Sequence, residues 1–458
     1  MAKFRSKNRP LRVFKPQQRS VTSGQHLLSV DSLADDGRGI ARVNGKTVFV
    51  AGALAGEKIN ARYVSSHKTH DDAVVVSTVE TSAHRVKPAC EYFGQCGGCD
   101  LQHLDYPSQT EHKQRRLSQL FSAWVEGNDK LTVGSITSNP WSYRHRARFS
   151  VDVGKNSCNI GFRQARSHKV IDVTHCHIVA DGINSALSNV RALITSLKNR
   201  SVITEVSITE DSVGKMGIAI FCTRPLSDRD ISVVNNYSVT HQCYIEVRSS
   251  NTAIQCVFPD DGSVSLSYKL DAYDLVIPYT VDDFTQVNST INYQLIALAV
   301  KWLALDKDDV VADFFCGIGN FSLPVSKFAS RVVGFELIAS MVAKARDNAA
   351  LNSIDNCQFK VIDLTADKLS IDDEFSKALL DPPRAGAEKM CRQLAASQLQ
   401  RIVYISCNPR TLARDTKILT QGNYRLTELS LADMFPQTAH SEVVALFTHS
   451  DQPVLDIK

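Results

Sequence analysis

Five short apolar runs recur in the C-terminal part of the chain, at residues 310–314, 332–335, 359–362, 378–380 and 402–405. Helical stretches separate them, the clearest at residues 339–351. Runs this short and apolar throughout predict strands buried on both faces. Strands that alternate with helices pair in parallel, because the crossover helix returns the chain to the same end of the sheet. Residues 276–458 are therefore expected to form a doubly wound α/β sheet of Rossmann-like type. Ligands of such sheets bind beyond the carboxyl ends of the strands.

Chemistry-bearing residues stand at those ends. Asp313-Phe314-Phe315-Cys316-Gly317-Ile318-Gly319-Asn320-Phe321 follows the first strand and opens a helix. Its glycines allow a tight turn and a close backbone approach to a ligand. Phe321 fills the place of the third glycine of a dinucleotide fingerprint, which favours a nucleoside without phosphates. Glu336 ends the next strand, where a carboxylate can accept both ribose hydroxyls. Asp363 ends the third, a place for adenine contacts. S-adenosylmethionine is the expected ligand.

The last two runs carry the rest. Asp381-Pro382-Pro383-Arg384 follows the fourth run and resembles the D/N-P-P segment of amino methyltransferases. Ser406-Cys407-Asn408-Pro409 follows the fifth, and Glu442 precedes a further apolar stretch at residues 443–447. A methyl donor beside a thiol implies chemistry on a carbon too unreactive to be methylated unaided, and uracil C5 is one. A thiolate added at C6 makes C5 nucleophilic, and a base must then remove the C5 proton. Cys407 fits the nucleophile and Glu442 the base. Asp381 could hold the uracil or orient the donor. Gln286, just before the sheet, could reach the cofactor or the base edge.

The N-terminal part differs. Residues 1–20 hold seven Lys and Arg and no acid, the mark of a disordered basic tail with affinity for polyanions. Residues 21–80 read as short alternating strands with Gly turns, suited to a five-stranded OB-type barrel. Residues 81–275 read as a mixed α+β central domain, with a helix at 107–124 that is basic on one face (Lys113, Arg115, Arg116). The central domain carries further Arg clusters, at Arg144, Arg146 and Arg148 and at Arg163 and Arg166.

The chain has 12 cysteines, badly spaced for a secreted disulfide scaffold. Cys222, Cys243, Cys256 and Cys391 sit in apolar surroundings as small core residues. Cys90, Cys96 and Cys99 fall within one Gly-rich loop and signal a metal, zinc or an iron–sulfur cluster. Cys176 is the preferred fourth ligand, over Cys158. No segment reads as membrane-spanning and no signal peptide is evident, so a cytoplasmic location is expected.

Taken together, the 313–321 loop, Asp381–Gly386, Ser406–Pro409 and Thr438-x-His440-x-Glu442 resemble the uracil-5 RNA methyltransferases. The barrel and the loop cysteines narrow the resemblance to the branch that acts on 23S ribosomal RNA, with an RNA-binding TRAM barrel and a [4Fe–4S] cluster. The resemblance implies Cys407 as nucleophile and Glu442 as proton acceptor. It implies S-adenosylmethionine contacts from Gln286, Phe315, Asn320, Glu336, Asp363 and Asp381. It implies cluster ligation by Cys90, Cys96, Cys99 and Cys176. The expected partner is 23S ribosomal RNA, with no membrane and no obligate protein partner. The alternative is an RNA-binding ribosome-assembly factor whose methyltransferase fold is silent.

Overall fold

The structure is a computed structural model that describes residues 24–125, 131, 133–154, 157–249, 255–258, 266–366 and 374–452. The basic tail expected at residues 1–20 lies outside the described residues. The chain divides into two compact units, Met1–Arg85 and Val86–Lys458.

In the first unit five strands close a barrel: β1 (His26–Leu33), β2 (Gly39–Val43), β3 (Lys46–Ala51), β4 (Lys58–Ser66) and β5 (His70–Glu80). Their order is β1-β2-β3-β5-β4, and β4 pairs back onto β1. Closure leaves no edge for another chain to extend. Alternation sets the two faces. Val48 and Val50 are buried with Leu28, Val30, Ile59 and Ala61. Phe49 between them turns outward, and the Arg38 guanidinium lies 4.4 Å from its ring centroid.

The second unit begins with the cysteine loop and α1 (Tyr106–Leu120), then a short α2 (Ser122–Val125) and β6 (Val133–Ile136). The helix expected at 107–124 thus breaks at Phe121. A seven-stranded sheet follows, built from β7 (Arg146–Val153), β8 (Cys158–Arg163), β9 (Val170–Asp172), β10 (Ile203–Glu210), β11 (Met216–Cys222), β12 (Tyr244–Ser249) and β13 (Gln255–Phe258). Its order is β13-β12-β11-β10-β7-β8-β9. α3 (Asp181–Ser196) and α4 (Asp228–His241) join it in one core with Ile183, Leu187, Phe149 and Ile208. A hairpin of β14 (Leu266–Leu270) and β15 (Leu275–Tyr279) leads to the C-terminal sheet.

That sheet contains β16 (Val310–Phe314), β17 (Arg331–Glu336), β18 (Cys357–Val361), β19 (Lys377–Leu380), β20 (Arg401–Ser406), β21 (Tyr424–Ala432) and β22 (Glu442–His449). Its helices are α5 (Ser289–Leu303), α6 (Ser322–Ser326), α7 (Ala339–Leu351), α8 (Glu388–Leu394) and α9 (Pro409–Gln421). The order is β18-β17-β16-β19-β20-β22-β21-β6. The five expected runs are the parallel strands β16 to β20. β22 runs antiparallel between β20 and β21. β6, drawn from the segment read as central, completes the edge beside β21.

Both faces of the sheet are covered, so alternate residues enter two cores. Val311, Leu379, Val403 and Val444 pack with α5 and α7 residues such as Leu295 and Ala345. Phe314, Leu380, Tyr404 and Phe447 pack with α8 and α9 residues such as Met390 and Leu412. Ala219 of the seven-stranded sheet belongs to the first of these cores. Cys222, Cys243 and Cys391 are buried, as expected of core residues. Among the described residues no helix is long and apolar enough to cross a membrane.

Candidate active site

The parallel register lines up the carboxyl ends of β16, β17, β19 and β20. Beyond β16 the chain turns at once. The Phe315 and Cys316 amides both donate to the Phe335 carbonyl of β17, at 2.9 and 3.1 Å. Phe315, Gly317 and Gly319 take positive φ values of 67°, 56° and 97°. Such a turn is easy for glycine and strained for Phe315, a strain of the kind that clusters at ligand sites. Glu336 closes the turn from the other side. Its carboxylate accepts from the Gly317 amide at 3.3 Å and from the Ile338 amide at 3.0 Å.

Asp313 lies beneath this loop, 2% exposed. Ser322 donates to one of its oxygens, and the other has no hydrogen-bond partner. Burial drives its pKa up to about 7, with Asp381 and Glu336 adding to the rise and the Ser322 hydroxyl opposing it. Asn320 closes the loop on the far side. Its Oδ1 accepts from Tyr268 at 2.9 Å and Asn292 at 3.0 Å, and its Nδ2 donates back to Asn292 at 3.0 Å. Tyr268 and Asn292 also line a cavity of about 440 Å³ with Gln286, His145 and Arg146. Asp363 stands apart. It is exposed, two residues past β18, and accepts from the Thr365 amide and hydroxyl at 2.9 and 2.7 Å. These bonds hold its carboxyl below the usual range.

The thiol is placed by register as well. Leu380 pairs with Phe314 and with Tyr404, so Asp381 follows at the ends of β16 and β20. Ser406 pairs with Val443 in the antiparallel β20–β22 ladder. Cys407 and Glu442 are the residues next beyond that last pair, and the Glu442 carboxyl is close enough to act on the Cys407 thiol. α9 begins directly after, with Asn408 as its cap accepting from the Arg410 amide at 3.2 Å and Pro409 in its first turn. A helix N-terminus favours a thiolate, but the carboxylates oppose it. Burial raises the Cys407 pKa, Glu442 and Asp381 raise it further, and Arg384 counteracts. Glu442 is 3% exposed, and burial lifts its pKa to about 7. Asp381 is pushed well above the carboxylate range by burial and then by Glu442. Three strand ends thus gather two proton-holding carboxyls and one sulfur.

Several residues around this site carry no motif. Lys113, read as part of a basic helix face, is fully buried. It donates to Asp433 at 2.7 Å and to the Phe435 carbonyl at 3.1 Å. Gln109, one helical turn earlier, is buried too. The buried stripe of α1 is Gln109, His112, Lys113 and Leu117. Only the helical spacing of these residues hinted at burial, because three of the four are polar.

The four expected metal-ligating cysteines come together. Cys90, Cys96, Cys99 and Cys176 line one cavity of about 230 Å³ with Arg144 and Arg148. Cys158 does not line it. The Gly98 amide donates to the Cys96 sulfur at 3.4 Å. Burial pushes the Cys99 thiol to about 12 and Cys176 to about 11.

Comparison with known proteins places this geometry in a family. Residues 105–450 match the family model described as tRNA (Uracil-5-)-methyltransferase. The chain is 37% identical over 426 residues to the 23S rRNA (uracil(1939)-C(5))-methyltransferase RlmD of Legionella pneumophila, covering 91% of this chain and 95% of that one. It is 37% identical over 428 residues to the protein of the same name from Pseudomonas fluorescens, covering 92% and 94%. Among solved structures, the Pyrococcus abyssi tRNA (uracil-54, C5)-methyltransferase in complex with S-adenosyl-L-homocysteine superposes with a TM-score of 0.73. That match covers 92% of this chain and 100% of the other, at 24% identity, and is a likeness of fold.

Proposed function

The chain belongs to the RNA (uracil-5-)-methyltransferase family, and from that premise we propose that it methylates C5 of a specific uridine in 23S ribosomal RNA through a covalent Cys407–C6 bond, forming 5-methyluridine. The observation that carries the reading is the meeting of Cys407 with the Glu442 and Asp381 carboxyls just beyond the Ser406–Val443 pair and the end of β19.

The loop after β16 fits a nucleoside. Its positive-φ turn lets backbone approach a ligand. Glu336 is oriented by two amides and keeps lone pairs for ribose hydroxyls. Phe315, Asn320, Asp363, Asp381 and Gln286 would complete the contacts. When bound, S-adenosylmethionine supplies an electrophilic sulfonium methyl group.

The residues then divide the work. The Cys407 thiolate bonds to C6, and the C5–C6 electron pair moves toward O4 as an enolate. The ring returns that pair through C5, which would take the methyl group as the sulfonium S–CH3 bond breaks with its pair left on the donor's sulfur. Glu442 removes the C5 proton, the C5=C6 bond re-forms, and sulfur leaves with its pair. A carboxyl with a pKa near 7 can accept and release this proton near neutral pH. A uridine in folded RNA must leave its stack to reach the site.

The cysteine cavity suits a [4Fe–4S] cluster held by Cys90, Cys96, Cys99 and Cys176. It would tie the loop to the segment carrying Cys176, and no step of methyl transfer runs through it. In this reading residues 21–80 form the RNA-binding barrel, 81–275 the cluster-bearing domain and 276–458 the transferase. The outward Phe49 and Arg38 pair suits unstacked bases.

Incubation with 5-fluorouridine ribosomal RNA and the methyl donor tests the mechanism. Fluorine cannot leave as a proton, so a methylated protein–RNA adduct that survives denaturation is expected. No adduct would sink the nucleophile and leave the assembly-factor role. Mass-spectrometric mapping of 23S ribosomal RNA from cells lacking the protein would identify the uridine.

A further inference from the structure

Glu442 is the first residue of β22, and an irregular loop, residues 433–441, delivers it from β21. A loop without ladder bonds needs other partners for its backbone. Beside the Asp433 amide's bond to Ile136 of β6 and bonds within the loop, several come from outside the C-terminal sheet. Gln437, at a positive φ of 66° and 3% exposed, is the hub. Its carbonyl accepts from the Asp100 and Leu101 amides, both at 3.0 Å. Its amide donates to Gln109 Oε1, and Gln109 Nε2 donates back to Gln437 Oε1, each at 3.0 Å. Tyr143 donates to the Pro436 carbonyl at 3.0 Å. Three residues before Glu442, the Ala439 amide donates to Asp100 Oδ2 at 3.1 Å, and Arg116 donates to the Ala439 carbonyl at 3.4 Å.

We propose that Asp100 is a positioning residue for proton removal at C5, holding the Ala439 peptide so that the Glu442 carboxylate meets the methylated ring. The proposal rests on the role of Glu442 given above. Asp100 directly follows Cys99, so the loop that carries the cysteines also carries the support for Glu442. A base must stand at hydrogen-bond reach of the group whose proton it takes, and a misplacement of about 1 Å is costly, whereas bond formation at C6 and methyl transfer to C5 do not need the carboxylate to accept a proton. Loosening Ala439 therefore slows the last step and spares the earlier two. Asp100 is exposed, so replacing it removes the contact without opening the core.

The full-length protein is assayed on ribosomal RNA whose uridines are tritiated at C5, with a methyl donor of different label. In the wild type, tritium release keeps step with methyl incorporation. Asp100→Ala is expected to lower kcat by about 10- to 100-fold with little change in KM for RNA. Tritium release should lag methylation, and a methylated covalent adduct should accumulate. Asp100→Asn keeps an acceptor oxygen and should restore most of the rate. Arg116→Ala, which frees the other side of the same peptide, should give the same lag more weakly and serves as the test if Asp100→Ala fails to fold. Tritium release in step with methylation in these variants, whether at full or uniformly reduced rate, overturns the proposal. A wild type that forms no adduct with 5-fluorouridine RNA would instead defeat the nucleophile reading on which it rests.

Discussion

Two sets of cysteines with proposed chemistry, four in the loop and its neighbour and Cys407 alone, lie in the second unit, and their company differs. Cys90, Cys96, Cys99 and Cys176 share a cavity with two arginines, and the next influence on Cys99 after burial and a Gln102 contact is the other cysteines. Cys407 stands at a strand end with Glu442 and Asp381. Burial raises the thiol pKa in both places, so burial does not distinguish them. What differs is whether a proton acceptor stands beside the sulfur. Four thiols without carboxylates suit a metal, which displaces their protons on binding. One thiol between carboxyls suits a reaction in which a bond to sulfur forms and breaks.

The comparison breaks most sharply at Cys407, the proposed nucleophile. Cys407→Ser should lower methyl incorporation at least about 1,000-fold, while equilibrium binding of the methyl donor and the iron content stay at wild-type levels. Loss of iron with this variant would show that the two sulfur groups are not independent. Glu442→Gln comes next, with a loss of about 100- to 10,000-fold in turnover. It should trap the adduct on ordinary uridine RNA, visible as a denaturant-resistant band. The same variant removes a charge that raises the Cys407 pKa, so adduct formation should reach its plateau at lower pH than in the wild type.

Cys99→Ser probes the other group. Iron content by metal analysis should fall and the thermal midpoint should drop, yet the folded fraction should still form the 5-fluorouridine adduct. The smallest effect is in pH-dependent stability. Asp313 goes from a usual carboxyl pKa near 3.8 when unfolded to about 7 when folded. The folded state thus binds more protons between about pH 4 and 7, and stability falls as pH rises through that window. Asp313→Asn should flatten this decline in thermal melts, and an unchanged slope would refute the assignment.

Much of the fold was legible because buried strands announce themselves. Residues 310–314 and 339–351 coincide with β16 and α7, where apolar runs and helical spacing leave little choice. The barrel was legible from alternation and Gly turns. Lys113 misled, because a polar stripe gives no sign that a partner such as Asp433, 320 residues on, will bury it. β6 was invisible as part of the C-terminal sheet, since edge strands of four residues carry almost no periodic signal.

The chain by itself determined which residues end each parallel strand, since periodicity and turn chemistry are local. That placed the 313–321 loop, Glu336, Asp381 and Cys407 on one rim. Only the tertiary structure decided that β22 enters antiparallel between β20 and β21 and so brings Glu442 to Cys407. It alone brought Cys176 to the loop of Cys90, Cys96 and Cys99, and Asp100 and Gln109 to the support of Gln437. Strand order and long-range hydrogen bonds depend on packing of the whole core, and no local pattern of residues encodes them.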